Sequence, residues 1–526
     1  MNEEFELVAK TFQGLEDVLA KELTELGANN LQIGRRMVSF TGNKAMMYKA
    51  NFCLRTAIRI LKPIKHFKAK SADEVYKEVK NIAWDNYLNP NKTFAVDATV
   101  FSEVFRHSMF VTYKVKDAIA DYFREKTGKR PSVSVTNPSL LLNIHISDDD
   151  CTLSLDSSGE SLHRRGYRQE AVEAPLNEIL AAGLILLTGW HGECDLIDPM
   201  CGSGTIPIEA ALIARNIAPG IFRKSFAFEK WPDFDQELFD DIYNDDSKER
   251  EFNHHIYGYD NNLQAIGKAT NNAKAAGVSK YIALKIQDFA EFTQPAEKSI
   301  IITNPPYGER ISTDDLLGLY KIIGERLKHQ FVGNDAWIIS YKEECFDAIG
   351  LKPSDRISLY NGALACEFRK YQIFSGKYND FRTEHHERKF KTNSGKFRPH
   401  HLGEELGDIQ KKGKESSDET KEREDKRERR FGDRRGYRPF GDKQRDRSSE
   451  NRRENRSFGN KREKLSFKDR KDRPERHSFA DFGDKYEKRI DGKEENKDFR
   501  VLMTYPQRKK LEREQKLSQD SNEKKG

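Results

Sequence analysis

The sequence predicts an α/β fold over residues 170 to about 375, preceded by an α+β region and followed by a tail with no means of building a core. Three observations carry this. Between residues 170 and 375 short apolar strands alternate with helices, the pattern of a mostly parallel sheet covered on both faces. The first 165 residues mix helical and strand periods without that regular alternation. Between residues 381 and 500 there are five Ile or Leu and no Val or Met, too little apolar surface to offset the entropy of ordering.

Taken in order, "FELVAKT" reads as a strand and "LEDVLAKELTELG" as a helix, with Leu15, Val18, Leu19, Leu23 and Leu26 at steps of three and four. "MVSFTG" alternates with period two. Further elements follow at "ADEVYKEVKNI", "TFAVDATV" and "SMFVTYKVKDAIADYFREKTG". Residues 140–146 and 151–156 are expected to pair across the turn "SDDD". In the α/β region the strands are "CDLIDP", "IYGYD", "IALKIQD", "KSIIITN", "AWIIS" and "ACEFRKYQIF". In the tail, "KEREDKRERRFGDRRGYRPFGDKQRDR" mixes arginine with isolated Phe, Tyr and Gly, which suits either a solvated segment or one that contacts RNA or ribosome-assembly factors.

Bulk properties narrow the functional class. Charged residues make up 33% and hydrophobic residues 36%, so a large part of the chain lies outside any core. The net charge is only +6, yet Lys and Arg crowd the last third, which fits a nucleic-acid partner. The six cysteines form no CxxC pair and no histidine stands at metal-ligand spacing, so neither a zinc site nor a disulfide framework is expected. The paired histidines at 254–255, 385–386 and 400–401 read as surface and tail residues. No signal peptide and no stretch of 18 apolar residues is present, and the expectation is a soluble, cytoplasmic protein.

Ligands of a parallel sheet bind beyond the carboxyl ends of its strands, which directs attention to Asp198, Asp260, Asp288 and Asn304. In "DPMCGSGTIPIEAALIA" Gly202 and Gly204 permit a tight turn before a helix that begins near Thr205. The third glycine of a dinucleotide fingerprint would fall at Pro207, which disfavours a nicotinamide cofactor. Asp260 is suited to the hydroxyls of a ribose and Asp288 to the exocyclic amine of an adenine. Either alone would equally suit a solvated strand end or a helix cap, but together they describe a pocket for an adenosine-bearing cofactor. In "ITNPPYGER" the diproline stops the strand at Thr303 or Asn304. The Asn304 side-chain oxygen and the Pro305 carbonyl, held by the Pro305-Pro306 corner, can accept from one planar NH₂, and Tyr307 offers a ring face for the base that bears it.

"DPMCGSGT", "YGYD" and "NPPYGER", in this order, resemble the Rossmann-like class I S-adenosylmethionine-dependent N-methyltransferases. The insertion "RNIAPGIFRKSFAFEKWPDFD" and the upstream "LHRRGYR" and "APLNEILAAGLI" are similar to the ribosomal RNA guanine-N2 methyltransferases with a THUMP domain, here in a form with one methyltransferase domain. The resemblance implies a ferredoxin-like segment at 1–42, a THUMP RNA-binding domain at 43–165, the methyltransferase domain at 166–375 and the disordered tail at 376–526. It implies S-adenosyl-L-methionine as cofactor, with Asp198, Cys201, Gly202 and Gly204 on its methionine side, Asp260 on its ribose and Asp288 on its adenine. Pro175, Asn177 and Glu178 match the helix that closes over it, while Asn304, Pro305, Pro306 and Tyr307 hold the target base. No metal is needed. For RNA, 23S ribosomal RNA foremost, the expected contacts are Arg106, Lys114, Lys116, Arg124, Lys126, Lys129, Arg130, Arg164, Arg165 and Arg168. The corner reads an NH₂ rather than a whole base, so tRNA guanine and adenine N6 are alternative targets, as is a non-catalytic RNA-binding role.

Overall fold

The computed structural model describes residues 3–105, 107–172, 175–295, 298–306 and 313–374. The expected disordered tail, Tyr307 and Arg106 lie outside the described residues.

The N-terminal region runs β1 (Phe5–Lys10), α1 (Glu16–Leu26), β2 (Asn29–Gly34), β3 (Met37–Gly42), α2 (Lys44–Cys53), β4 (Arg59–Lys68), α3 (Ala72–Lys80), β5 (Thr93–Phe101), α4 (Ser108–Thr127), β6 (Ser132–Val133), β7 (Leu140–Ser147) and β8 (Asp150–Asp156). Its eight strands form one sheet in the order β2-β3-β1-β4-β8-β7-β5-β6. The expected hairpin is present: β7 and β8 pair antiparallel, closing at Ser147 opposite Asp150. α4 buries Val111, Val115, Ile119 and Phe123, the stripe its spacing predicts. Strands β2 and β4 escape sequence reading. β4 carries Pro63 in mid-strand, and its ladder with β8 shifts register between Pro63 and Lys65, where a missing N–H is tolerated.

The second region runs α5 (Glu178–Leu187), β9 (Asp195–Asp198), α6 (Thr205–Ala214), α7 (Gln236–Asn244), β10 (Ile256–Asp260), α8 (Leu263–Ala275), β11 (Ile282–Ile286), β12 (Ser299–Thr303), α9 (Thr313–Gln330), β13 (Asp335–Ser340), α10 (Glu343–Ile349), β14 (Asp355–Asn361) and β15 (Leu364–Gln372). Its seven strands lie in the order β11-β10-β9-β12-β13-β15-β14. The first five pair parallel, and β15 enters antiparallel against β13. β14, unforeseen in the sequence, completes a hairpin with β15. It is an edge strand in which Asp355, Arg356 and Ser358 are exposed, so "DRISLYN" lacks the apolar run that marks its neighbours. Every residue of α6 is buried, because α5 covers it on the side away from the sheet.

The chain between α6 and β10 returns to the N-terminal region. Phe226, Phe228, Trp231, Phe239 and Ile242 sit in the core beneath the eight-stranded sheet. Phe228 stacks on Tyr48 of α2 at 4.4 Å and on Phe226 at 5.2 Å, and meets the edge of Phe239 at 5.1 Å. Arg223, 8% exposed, donates to the carbonyls of Ser158, Glu160, Ser161 and Arg164, so the link between the two sheets is gathered by one guanidinium. Burial pushes that guanidinium down to about 10. Phe228→Ala is expected to cost about 3–5 kcal/mol through the cavity it leaves. Denaturant unfolding followed by tryptophan fluorescence, with Trp231 as a nearby reporter, checks this.

Candidate active site

The strand order lays Asp288, Asp260, Asp198 and Asn304 at the carboxyl ends of four consecutive strands, β11, β10, β9 and β12. The chain runs outward from β9 to β10 and β11 on one side and to β12 and β13 on the other, so the crevice of the sheet opens between β9 and β12. Asp198 stays paired with β10 through Gly258, while Ile302 and Thr303 stay paired with β13. The ladder between β9 and β12 ends at Ile197 and Ile301, and the two strands part there.

The glycine loop fills the near side of the crevice. The Cys201 amide donates to the Tyr259 carbonyl at 2.8 Å, and the Gly202 amide donates to Asp260 Oδ2 at 3.0 Å. Gly202 and Gly204 hold φ of 55° and 83°, a region that costs an L side chain strain, and Gly204 caps α6. Asp260 Oδ1 accepts from the Asn262 amide at 2.9 Å. A carboxylate takes about four such bonds, so Asp260 retains capacity for a ligand hydroxyl. Asp288 is exposed and caps a short 3₁₀ turn through Oδ1, 2.7 Å from the Ala290 amide. Burial pushes the Cys201 thiol well above its usual range, so it is an apolar filler here and not a nucleophile.

Asp198 is 1% exposed. Its Oδ1 accepts from Thr303 Oγ1 at 2.9 Å and from the Met200 amide at 3.3 Å. Burial raises its pKa to about 7, with the Asp260 carboxylate adding in the same direction. Across the crevice Asn304 is half-buried, and its Oδ1 is buried without a donor among the described residues. Such an orphan acceptor costs about 1–3 kcal/mol when nothing satisfies it, and a ligand N–H would recover that cost. Pro305 is buried and Pro306 exposed, which keeps the corner anchored on one side.

Two predicted RNA contacts are corrected. Arg165 is 2% exposed, with Nη1 2.9 Å from the Leu162 carbonyl, Nη2 on the Arg55 carbonyl and Nε 3.6 Å from Glu209 Oε1. Arg168 donates to Glu178 Oε1 (2.7 Å), Ser203 Oγ (3.0 Å), Thr205 Oγ1 (2.9 Å) and the Leu176 carbonyl (3.2 Å). Neither guanidinium is free to meet a phosphate; Arg168 ties the segment before α5 to the glycine loop. Asn177 caps α5 through the Ile179 and Leu180 amides, and Pro175 is exposed beside it. Arg124, Arg130 and Arg164 are exposed. Lys114, Lys116, Arg124 and Arg164 bridge to Asp73, Asp117, Asp121 and Glu160, surface pairs that exchange partners at little cost.

Sequence reasoning missed Thr303, the clamp role of Arg168, and Asn272. Asn272, fully buried on α8, accepts from the Gln169 and Glu170 amides and donates to the Glu170 and Ser203 carbonyls. The one signal for it was two adjacent asparagines, poor helix formers, inside "ATNNAKA". Together with Lys268, which holds the Ala171 carbonyl at 2.9 Å, it lays residues 169–172 along the glycine loop. Among the described residues no group of His, Cys, Asp and Glu is arranged to hold a metal, and no helix is long and apolar enough to cross a membrane.

The carboxylates at the crevice suit a cationic, hydroxyl-bearing ligand, and the orphan Asn304 oxygen suits an N–H donor, so the residues present fit an adenosyl sulfonium and an amine. Arg168→Ala leaves Glu178, whose side chain is 7% exposed, unpaired, and is expected to cost about 3–5 kcal/mol in denaturant unfolding. For Asp198 the folded-state value near 7 lies above the unfolded value of about 4, so its contribution to stability is present at low pH and lost as pH rises through about 7. Asp198→Asn removes that loss; relative to the parent, its unfolding midpoint is expected to rise between pH 5 and pH 8.

The RMKL-like methyltransferase domain family matches residues 165–370, the THUMP domain family 69–156 and the RlmL ferredoxin-like domain family 6–61. A Synechocystis protein carrying the name RNA methyltransferase is 39% identical over 369 residues, covering 70% of this chain and 96% of its own. The ribosomal RNA large subunit methyltransferase K/L of Syntrophotalea carbinolica is 38% identical over 380 residues, covering 70% of this chain but 53% of its own, so the chain spans about half the length of that relative. A solved structure named as a methyltransferase complexed with SAH is 31% identical with a TM-score of 0.64, over 72% of this chain and all of its own. With these matches running through both sheets and the crevice between β9 and β12, the chain belongs to the THUMP-containing, RMKL-like family of RNA methyltransferases.

Proposed function

We propose that the protein transfers a methyl group from S-adenosyl-L-methionine to the exocyclic N2 of a guanine in RNA, with 23S ribosomal RNA as substrate. The carrying observation is the buried Asn304 oxygen, without a donor among the described residues, at the open end of β12 and across the crevice from Asp198. The K/L relative is named for ribosomal RNA of the large subunit, which supports this choice of substrate. On this reading residues 166–375 perform the chemistry and residues 43–165 grip the RNA.

When bound, the cofactor supplies a methyl already activated on a sulfonium. Asp198, with the Cys201, Gly202 and Gly204 loop, holds its amino-acid end; Asp260 takes the ribose hydroxyls; Asp288 takes the adenine amine; Pro175, Asn177 and Glu178 place the covering segment. Asn304 Oδ1 and the Pro305 carbonyl accept from the target NH₂, Pro306 stiffens the corner, and Tyr307 stacks on the base. A guanine amine is a poor nucleophile because its lone pair is delocalised into the ring. Acceptors that favour a more tetrahedral nitrogen stabilise the positive charge growing on it as it attacks. The spare proton leaves to water after transfer.

The target base must be flipped or met unpaired. Lys114, Lys116, Arg124, Arg130 and Arg164, with Arg106, are proposed to hold the backbone. On α4 Phe110 and Tyr113 are 53% and 50% exposed, with Lys114 Nζ 5.6 Å from the Phe110 ring centre, a surface on which unpaired bases can stack. Ribosomal RNA as substrate sets the site of action in the cytoplasm.

Asn304→Ala is expected to lower turnover about 10²–10³-fold while cofactor affinity stays within a few fold. The cellular test is mass spectrometry of nucleosides from 23S RNA of a deletion strain complemented with either gene. N2-methylguanosine restored by the parent and not by the variant supports the reading; an unchanged level after deletion overturns it, and loss of N6-methyladenosine instead reassigns the base.

A further inference from the structure

β9 and β12 carry the two halves of the reaction proposed above, and the structure leaves them joined by very little where it matters. Their backbone ladder ends at Ile197 and Ile301. Past that point each strand belongs to a different neighbour, Asp198 to β10 and Thr303 to β13. Among the described residues, what spans the opening is one side-chain hydrogen bond, Thr303 Oγ1 to Asp198 Oδ1 at 2.9 Å, between residues each 1% exposed. Thr303 is the residue before Asn304, and Asp198 is three residues before Cys201. Moving either end of the bond therefore moves the acceptor corner or the glycine loop.

We infer that Thr303 is a positioning residue of methyl transfer: its hydroxyl fixes the spacing between the cofactor loop and the Asn304 corner and keeps Asp198 as an ionised acceptor facing the cofactor. This deepens the function proposed above and rests on it. The chemistry follows from what surrounds Asp198. The Asp260 carboxylate on β10 and the Cys201 thiol in the loop face it, and both burial and Asp260 favour its protonated form. Against these stand two donors, the Thr303 hydroxyl and the Met200 amide. Only the first is a side chain that substitution can remove. A valine there keeps the shape of threonine and deletes the donor. A threonine that merely filled space would be replaced by valine with little consequence.

The test uses the full chain with Thr303→Val, Thr303→Ser and, should valine fail to fold, Thr303→Ala. S-Adenosylhomocysteine is titrated calorimetrically between pH 5.5 and 8.5, since its ammonium needs an ionised Asp198. Binding of the parent is expected to strengthen as pH rises through about 7. In Thr303→Val the midpoint is expected about one pH unit higher, Asp198 having lost a donor to its charged form. Turnover on RNA from the deletion strain is expected to fall about tenfold at pH 7 and to recover partly at higher pH, with Thr303→Ser restoring both. A valine variant with the parent's pH midpoint and turnover overturns the inference. A parent that binds with the expected pH dependence, and a valine variant with the shift, but no methylation of any RNA, supports the tie between the strands and overturns the substrate reading instead.

Discussion

Where β12 leaves β9, a sheet that is otherwise continuous opens, and the chain's chemistry is gathered around that opening. The constraint is topological. A parallel sheet wound outward in both directions from its first strand must have a place where neighbouring strands send their connections to opposite sides. Here that place lies between Asp198 and Thr303, and a side-chain hydrogen bond links the two across it. Asp260 and Asp288 extend the line of acceptors on one side, and the diproline corner supplies the other. Each of these is a strand end, so the rigidity of the sheet is transmitted to the groups that meet the ligand.

Charge burial holds the approach to the opening. Glu209, fully buried on α6, accepts from the Tyr167 hydroxyl at 2.9 Å and faces Arg165 at 3.6 Å. Burial raises the Glu209 carboxyl above its usual range and the Tyr167 hydroxyl well above its own. Next to it Arg168 binds Glu178 and the hydroxyls of Ser203 and Thr205, and Asn272 makes three hydrogen bonds to Gln169 and Glu170 and a fourth to the Ser203 carbonyl of the glycine loop. Pairs of this kind add little net stability, but removing one partner leaves the other's charge buried and uncompensated. They lie along the link at 158–172, which runs from the N-terminal sheet to the glycine loop.

Apolar packing does the corresponding work between the sheets. The insertion after α6 places its aromatic residues in the core of the N-terminal region, and Arg223 closes the same junction from the carbonyl side. Gly220 is required there, since a Cβ would stand 2.7 Å from the Phe52 carbonyl oxygen. Through this insertion the methyltransferase region and the N-terminal region share one apolar core.

What the sequence determined alone was local. The periods of α4 and of the parallel strands, the glycine turn before α6 and the diproline stop after Thr303 depend on dihedral preferences and side-chain alternation within a few residues, and these were legible directly. Tertiary structure decided the partners. Arg165 and Arg168 look in sequence like Arg164, exposed bases beside a binding region; only contacts to Arg55, Glu209, Ser203 and Thr205 reveal that they are internal. Thr303 looks like the last residue of a strand until β9 is laid beside it. The physical reason is that a hydrogen bond depends on distance and angle between groups that the chain brings together from afar, and neither has a signature at either residue alone.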